Sequence, residues 1–201
     1  MKKILLIVFA FVCIQGAYAQ QGGKFRFGMD LGIAAPQGGN GIGAVFNLEP
    51  KVNLTDNLNI GLRMGTAALA KNVTINNVFD EVEGEASGTV SFAGTFDYYF
   101  NKGNSSVAPF IGGGVGYYTM ANVEVNANQT NVNYDDLTPS NAWGGLVRAG
   151  IELAKFRMAA EYNLIPDTDL QDAQGNVIGL SNNKYFAFTL GFYVGGGKWR
   201  K

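Results

Sequence analysis

Histidine is absent from the 201 residues, cysteine occurs once, and charged residues make up only 15% of the chain. Without an imidazole no Ser/His/Asp triad and no histidine zinc site can be built. The single cysteine, Cys13, excludes an intrachain disulfide and any cysteine-based metal cluster. Charge lies well under the roughly 25% of ordinary soluble domains, and a formal net charge of −1 offers no basic surface to nucleic acid. Glycine, by contrast, is abundant at 28 residues, about double its usual share of ~7%. Hydrophobic residues reach 47%, enough for the core of one domain or two small ones.

The chain opens with Lys2-Lys3, an apolar stretch from Ile4 to Ile14, and the triplet Ala17-Tyr18-Ala19. A basic start, a short apolar segment and an A-x-A site make residues 1–19 a cleaved secretory signal peptide. Residues 20–201, beginning at Gln20, are then the mature chain and a single domain. The apolar stretch is too short for a membrane helix, which needs about 20 residues. Ala10-Phe11-Val12 before Cys13 lacks the small residue of a lipoprotein site, so the mature chain carries no cysteine.

Past the leader no i, i+3, i+4, i+7 stripe is sustained, and the dominant period is two. Across Lys24–Ala35 the residues Phe25, Phe27, Met29, Leu31 and Ile33 share one face, while Arg26, Gly28, Asp30 and Gly32 share the other. The pattern recurs over Ala44–Leu54, Leu58–Ala68, Gly88–Phe100, Val107–Thr119, Ala142–Leu153, Phe156–Ile165 and Lys184–Gly195. These segments exceed the usual strand of ~5–6 residues and match the roughly 9–11 that cross a bilayer when tilted. Tight connections (Thr55-Asp56-Asn57, Asn101–Ser106, Ala154-Lys155) alternate with long ones (Pro36–Gly43, Leu69–Ser87, Met120–Asn141, Pro166–Asn183). Short turns at one end and long loops at the other predict an all-β fold, an eight-stranded antiparallel up-and-down transmembrane β-barrel.

Composition assigns the two faces. The apolar face includes Leu31, Phe46, Leu62, Phe92, Phe96, Ile111, Val115, Trp143, Val147, Phe188 and Leu190, and carries no charge. A small barrel encloses only about a dozen side chains when packed in layers, far fewer than this face holds. In a closed barrel the face must therefore point outward, toward lipid. The other face is rich in glycine, among them Gly61, Gly65, Gly112, Gly114, Gly150 and Gly191. It also holds Arg26, Lys51, Arg63, Arg148 and Arg157 against Asp30, Glu49, Asp97, Glu152 and Glu161. Buried ions are tolerated when paired, so these ten residues are the candidate site: a lumen ion-pair network with a structural or gating role. A solvated outer face would also mix both signs, but would rarely be so rich in glycine. The soluble rival is a β-sandwich burying the apolar face between two sheets, which the regular alternation of turn lengths opposes.

Aromatic residues gather at both ends of the spans. Phe25, Phe27, Tyr98, Phe100, Phe156 and Phe192 fall at the turn end; Tyr117, Trp143, Tyr162, Tyr185 and Phe186 fall at the loop end. Two belts are what membrane interfaces select. Charge outside the strands is sorted too. Asp80, Glu81, Glu83, Glu85, Glu124, Asp135, Asp136, Asp167, Asp169 and Asp172 lie on the loop side against Lys71 and Lys184, and Lys24, Lys102, Lys155, Lys198, Arg200 and Lys201 on the turn side against Asp56. Neither Asn126-Ala127-Asn128-Gln129 nor Asp167-Thr168-Asp169 has the spacing of a metal site, so no metal and no cofactor is expected. Val73–Val78 and Val123–Val125 retain alternation, which predicts that the second and third hairpins project beyond the membrane.

The A-x-A leader, the glycine-punctuated strands, Pro109-Phe110-Ile111-Gly112-Gly113-Gly114-Val115-Gly116-Tyr117 and the closing Tyr185–Val194 strand together resemble the small bacterial outer-membrane β-barrels related to the eight-stranded membrane domain of OmpA. The resemblance spans Phe25 to Lys201. It implies an outer-membrane location with periplasmic termini, insertion by the outer-membrane assembly machinery, and contact with outer-membrane lipids and lipopolysaccharide. Many members end on an aromatic residue, whereas Gly195-Gly196-Gly197-Lys198-Trp199-Arg200-Lys201 follows the strand here. No peptidoglycan-binding domain is expected after the barrel. Three functions then compete: a structural or surface-interaction barrel whose loop ligand the sequence does not name, a small porin-like channel, and an enzyme. Barrel enzymes of this architecture rely on histidine, so no enzymatic activity is expected. The carboxylates Glu152 and Glu161, on neighbouring strands, are better read as structural beside so many arginines.

Overall fold

The computed structural model describes residues 22–37, 41–73, 83–101, 103, 105–125, 139–171, 175–196 and 199. The leader expected over 1–19 lies outside them, as do Asp80, Glu81, Asp135, Asp136 and Asp172 of the acidic loop residues.

Among the described residues ten strands form: β1 Phe25–Pro36, β2 Gly43–Asn53, β3 Leu58–Val73, β4 Glu83–Tyr99, β5 Val107–Val125, β6 Ser140–Leu153, β7 Phe156–Leu164, β8 Thr168–Gln171, β9 Val177–Ser181 and β10 Tyr185–Gly195. Consecutive strands pair antiparallel from β1 to β7, β7 pairs with β10, and β10 pairs with β1. The sheet thus closes on itself as an eight-stranded barrel and leaves no edge in the wall. The two extra strands are a correction to the reading of Pro166–Asn183 as loop. β8 and β9 form a short hairpin whose Gln171 sits beside Val123 of β5 in a parallel bridge. At 4 and 5 residues these strands are too short for a period of two to stand out from turn sequence.

Alternation along each strand does what the composition demands. Leu31 is 66% exposed while its neighbour Asp30 is buried, and the same in-out parity holds for Phe92, Ile111, Val147 and Leu190 against Ser91, Phe110, Arg148 and Thr189. In water such a surface would be an aggregation hazard; in lipid it is the solvated side. Phe25, Tyr98, Phe100, Phe156 and Phe192 ring the turn end, and Tyr117, Trp143 and Phe186 the loop end. Tyr185 does not join the belt: it is 3% exposed and packs inside with Ala34, Tyr118 and Ile165. Its odd position on β10 is opposite in parity to the outward Phe186, Phe188 and Leu190, and parity overrides residue type.

β3, β4 and β5 are longer than the rest, at 16, 17 and 19 residues against 12 for β1 and 9 for β7. The second hairpin and the side of the third formed by β5 accordingly extend at the loop end.

Candidate functional site in the barrel lumen

All ten candidate residues point inward and are buried. Their positions follow from parity: Arg26 and Asp30 on β1, Glu49 and Lys51 on β2, Arg63 on β3, Asp97 on β4, Arg148 and Glu152 on β6, Arg157 and Glu161 on β7. Toward the turn end seven of them, Arg26, Glu49, Lys51, Asp97, Arg148, Glu152 and Arg157, join into one connected network. Asp97 accepts from Arg148 Nε at 2.7 Å and from Arg157 Nη1 at 3.0 Å, and also pairs with Lys51. Glu49 takes a bidentate pair from Arg148 at 2.7 and 3.1 Å, Lys51 at 3.0 Å and the Thr95 hydroxyl at 2.5 Å. Glu152 binds Arg26 Nη2 at 2.5 Å, the Tyr99 hydroxyl at 2.7 Å and Arg157 at 3.5 Å. Bidentate, charge-assisted contacts of this kind are the strong ones. Removing one partner of such a buried set costs about 3–5 kcal/mol because a bare charge stays behind.

Glycine makes the room. A β carbon at Gly112 would collide with the Asp97 carboxylate and the Phe96 carbonyl, and one at Gly191 with the Asp30 carboxylate and the Met29 carbonyl. Asp30 itself, 4% exposed, makes no ion pair with another described residue. It lines a cavity of about 10 Å³ with Arg26, Glu49, Lys51 and Arg157, room for about one water.

Aromatic rings close the network at the turn end. The Arg26 guanidinium lies 3.6 Å from the Tyr193 ring centroid and that of Arg157 4.1 Å from Phe110, cation–π distances at which desolvated arginine is held firmly. Trp199 donates its indole N–H to Glu152 Oε2 at 3.1 Å. None of Tyr99, Thr95, Tyr193, Phe110 and Trp199 was among the sequence candidates. Thr95 and Tyr99 share the parity of Asp97 and could have been found by it, whereas Trp199 follows a glycine run that carries no period.

Toward the loop end the chemistry changes. Arg63 Nη2 lies 2.8 Å from Glu161 Oε2, but without hydrogen-bond geometry, and neither Glu161 oxygen has a hydrogen-bond partner. Asn163 is fully buried with both side-chain atoms unbonded, and the hydroxyls of Tyr118 and Thr189 are unbonded as well. Beyond them an apolar cluster of Ala34, Val45, Ala67, Leu69, Tyr118, Met120, Ile165, Tyr185 and Ala187 fills the barrel. The lumen is therefore not uniformly polar, as its charged and glycine positions alone suggested. Above the cluster, Asn122 and Asn183 both donate to Thr168 Oγ1 at 2.7 Å, Ser87 donates to Asn122 at 2.5 Å, and Asn183 donates to the Pro166 carbonyl at 2.9 Å. These bonds tie the start of β8 to the inner wall. Glu152 and Glu161, the carboxylate pair considered for acid/base work, are held by different arginines, Arg26 and Arg63.

No family model matches the chain. It is similar to outer membrane protein W of Vibrio cholerae, 25% identical over 162 residues covering 73% of this chain and 74% of that protein. Outer membrane protein W of Salmonella typhimurium is 24% identical over 164 residues, 76% of each chain. Its fold matches the crystal structure of the outer membrane protein OprG from Pseudomonas aeruginosa with a TM-score of 0.56 at 14% identity, over 89% of this chain and 98% of that one. The chain is a closed eight-stranded β-barrel similar to small bacterial outer-membrane proteins. For such a barrel the outward Leu, Phe and Val side chains are the lipid-facing wall, and the stacked ionic, polar and apolar layers fill the inside of that wall from one rim to the other.

Proposed function

We propose that this outer-membrane barrel is a closed scaffold that maintains the envelope and presents its long loops for surface contacts, with its lumen blocked by the ion-pair network. The observation that carries the reading is the convergence of Lys51, Arg148 and Arg157 on Asp97, with Glu49 bridging the first two. Cross-lumen pairs of this density leave little room for hydrated ions to pass. Purified protein refolded into planar bilayers is expected to show no steady openings, and Arg148→Ala or Glu152→Ala is expected to produce them. Steady large conductance from the unaltered protein would replace the scaffold with a porin-like channel. One observation favours that second reading: the unbonded polar atoms of Tyr118, Glu161, Asn163 and Thr189 form a layer in which water would be welcome.

The same reading carries the finer expectations. The signal peptide over 1–19 is removed on export, the termini face the periplasm, and the assembly machinery inserts the barrel by its last strand. The acidic loops then face outward, where divalent cations would bridge them to lipopolysaccharide. Equal lipopolysaccharide retention with and without a chelator during purification would remove the bridging. No catalytic role is proposed, since the chain has no histidine and the lumen carboxylates Glu49, Asp97, Glu152 and Glu161 are engaged by arginine.

A further inference from the structure

After β10 the chain folds back toward the barrel it has just closed. Gly195 and Gly196 take φ values of 78° and 69°, a left-handed conformation that side chains resist. The turn is tied to three parts of the rim. Gly196 N–H donates to the Phe25 carbonyl at 2.9 Å, Asn53 Nδ2 donates to the Gly196 carbonyl at 3.2 Å, and Lys155 Nζ donates to the Gly195 carbonyl at 2.5 Å. It delivers Trp199 to the turn end of the lumen, where the side chain is 5% exposed. The indole ring sits 4.6 Å from that of Tyr99, which in turn sits 5.4 Å from Phe110. Ala108 and Ala159 complete this cluster. Directly behind it lies Glu152, which the indole N–H contacts.

We propose that Trp199 is a latch: it stoppers the turn end of the lumen, and strain in the Gly195-Gly196 turn that carries it releases it without unfolding the wall. The barrel ladder of β10 with β1 reaches only to Gly195, which faces Arg26. What holds Trp199 is therefore side-chain contact and the tethered glycine turn, not strand pairing. Release would bare Glu152, Tyr99 and Ala108 to the turn side. The inference concerns access from that side alone and stands whether or not the ionic layer conducts.

The test uses the full mature chain refolded into phosphatidylcholine vesicles, with the gel shift on boiling as the check that each variant has closed its barrel. The sequence has two tryptophans, and Trp143 is 72% exposed on the lipid face, so Trp143→Phe leaves Trp199 as the sole emitter. Its fluorescence is expected to be quenched little by aqueous acrylamide and little by brominated lipid. Gly196→Ala, which strains the turn at its positive φ and crowds Arg26, is expected to raise the acrylamide quenching constant at least threefold. Separately, Ala108→Cys places a lone thiol behind the latch. A water-soluble maleimide is expected to label it at least tenfold faster when Trp199→Gly is added. Free quenching of Trp199 in the Trp143→Phe protein would overturn the latch, and so would equal labelling rates with and without Trp199. Should Trp199→Gly not refold, labelling in the Gly196→Ala background decides the same question.

Discussion

Asp97 is shared by Lys51, Arg148 and Arg157, whereas Glu161 pairs, among the described residues, with Arg63 alone and has no hydrogen bond on either oxygen. The two residues stand for the two halves of one lumen. Toward the turns, Glu49, Asp97 and Glu152 each collect at least two donors, with a hydroxyl from Thr95 on Glu49 and from Tyr99 on Glu152, while Asp30 beside them has no ion pair with a described residue. Toward the loops, Asn163, Tyr118 and Thr189 are buried with polar atoms unanswered. An unbonded buried polar group costs about 1–3 kcal/mol, while a densely bonded network, here with Arg157 Nε as its unbonded atom, rigidifies its surroundings. A closed ladder of backbone hydrogen bonds supplies the wall in both halves, so the difference lies in cross-bracing. The turn half is braced by ion pairs through its interior, and the loop half is held by its wall, by the apolar cluster around Tyr118, Met120, Ile165 and Tyr185, and by the hydrogen bonds of Asn122 and Asn183 to Thr168.

The comparison can be broken from either side. Asp97→Ala should do the most damage, leaving three cations without their common anion; urea unfolding of the refolded barrel in micelles is expected to lose about 3–5 kcal/mol. In the other half, replacing both members of the isolated pair by Arg63→Met with Glu161→Met is expected to leave stability unchanged or raise it by about 1–4 kcal/mol. A loss in that experiment would mean that the loop half is braced after all. Asn163→Leu removes a fully buried amide with no partner and should shift the unfolding midpoint by less than about 1 kcal/mol in either direction, with a gain expected if no water serves the site. Thr189→Val, isosteric and also unpartnered, is the smallest change, about 0.5 kcal/mol or less. A clear destabilisation by either substitution would place ordered water in that layer.

The period of two carries a great deal in this chain. Because successive side chains must face opposite sides of the wall, the parity of Leu31 or Ile111 assigns Asp30 and Gly112 to the lumen before any coordinate is known. The ten ionic residues were found in that way. Which ion meets which was not legible. Arg148 faces Glu161 in the strand register, yet its hydrogen bonds cross the lumen to Glu49 and Asp97, because side-chain reach and not adjacency decides the pairing. Tyr118 and Met120 share the even parity of Gly112 and Gly114, so the apolar plug could have been read had the inner face not been judged by its charges alone. Tyr185 was misassigned for the opposite reason, its residue type outweighing its parity. β8 and β9 are too short to carry a period, and Trp199 lies on no strand at all.

The unequal strand lengths give the barrel a slanted mouth. At a tilt of about 40° the 19 residues of β5 climb about 48 Å along the axis, and the 12 of β1 about 30 Å, against an apolar band of about 25 Å. On the side of β1 and β10 the wall scarcely clears the headgroups, while across the opening β3, β4 and β5 stand as a parapet. A molecule drifting along the bilayer surface therefore meets a low sill from one compass direction and a screen from the other, so the approach to this mouth has a bearing as well as a distance.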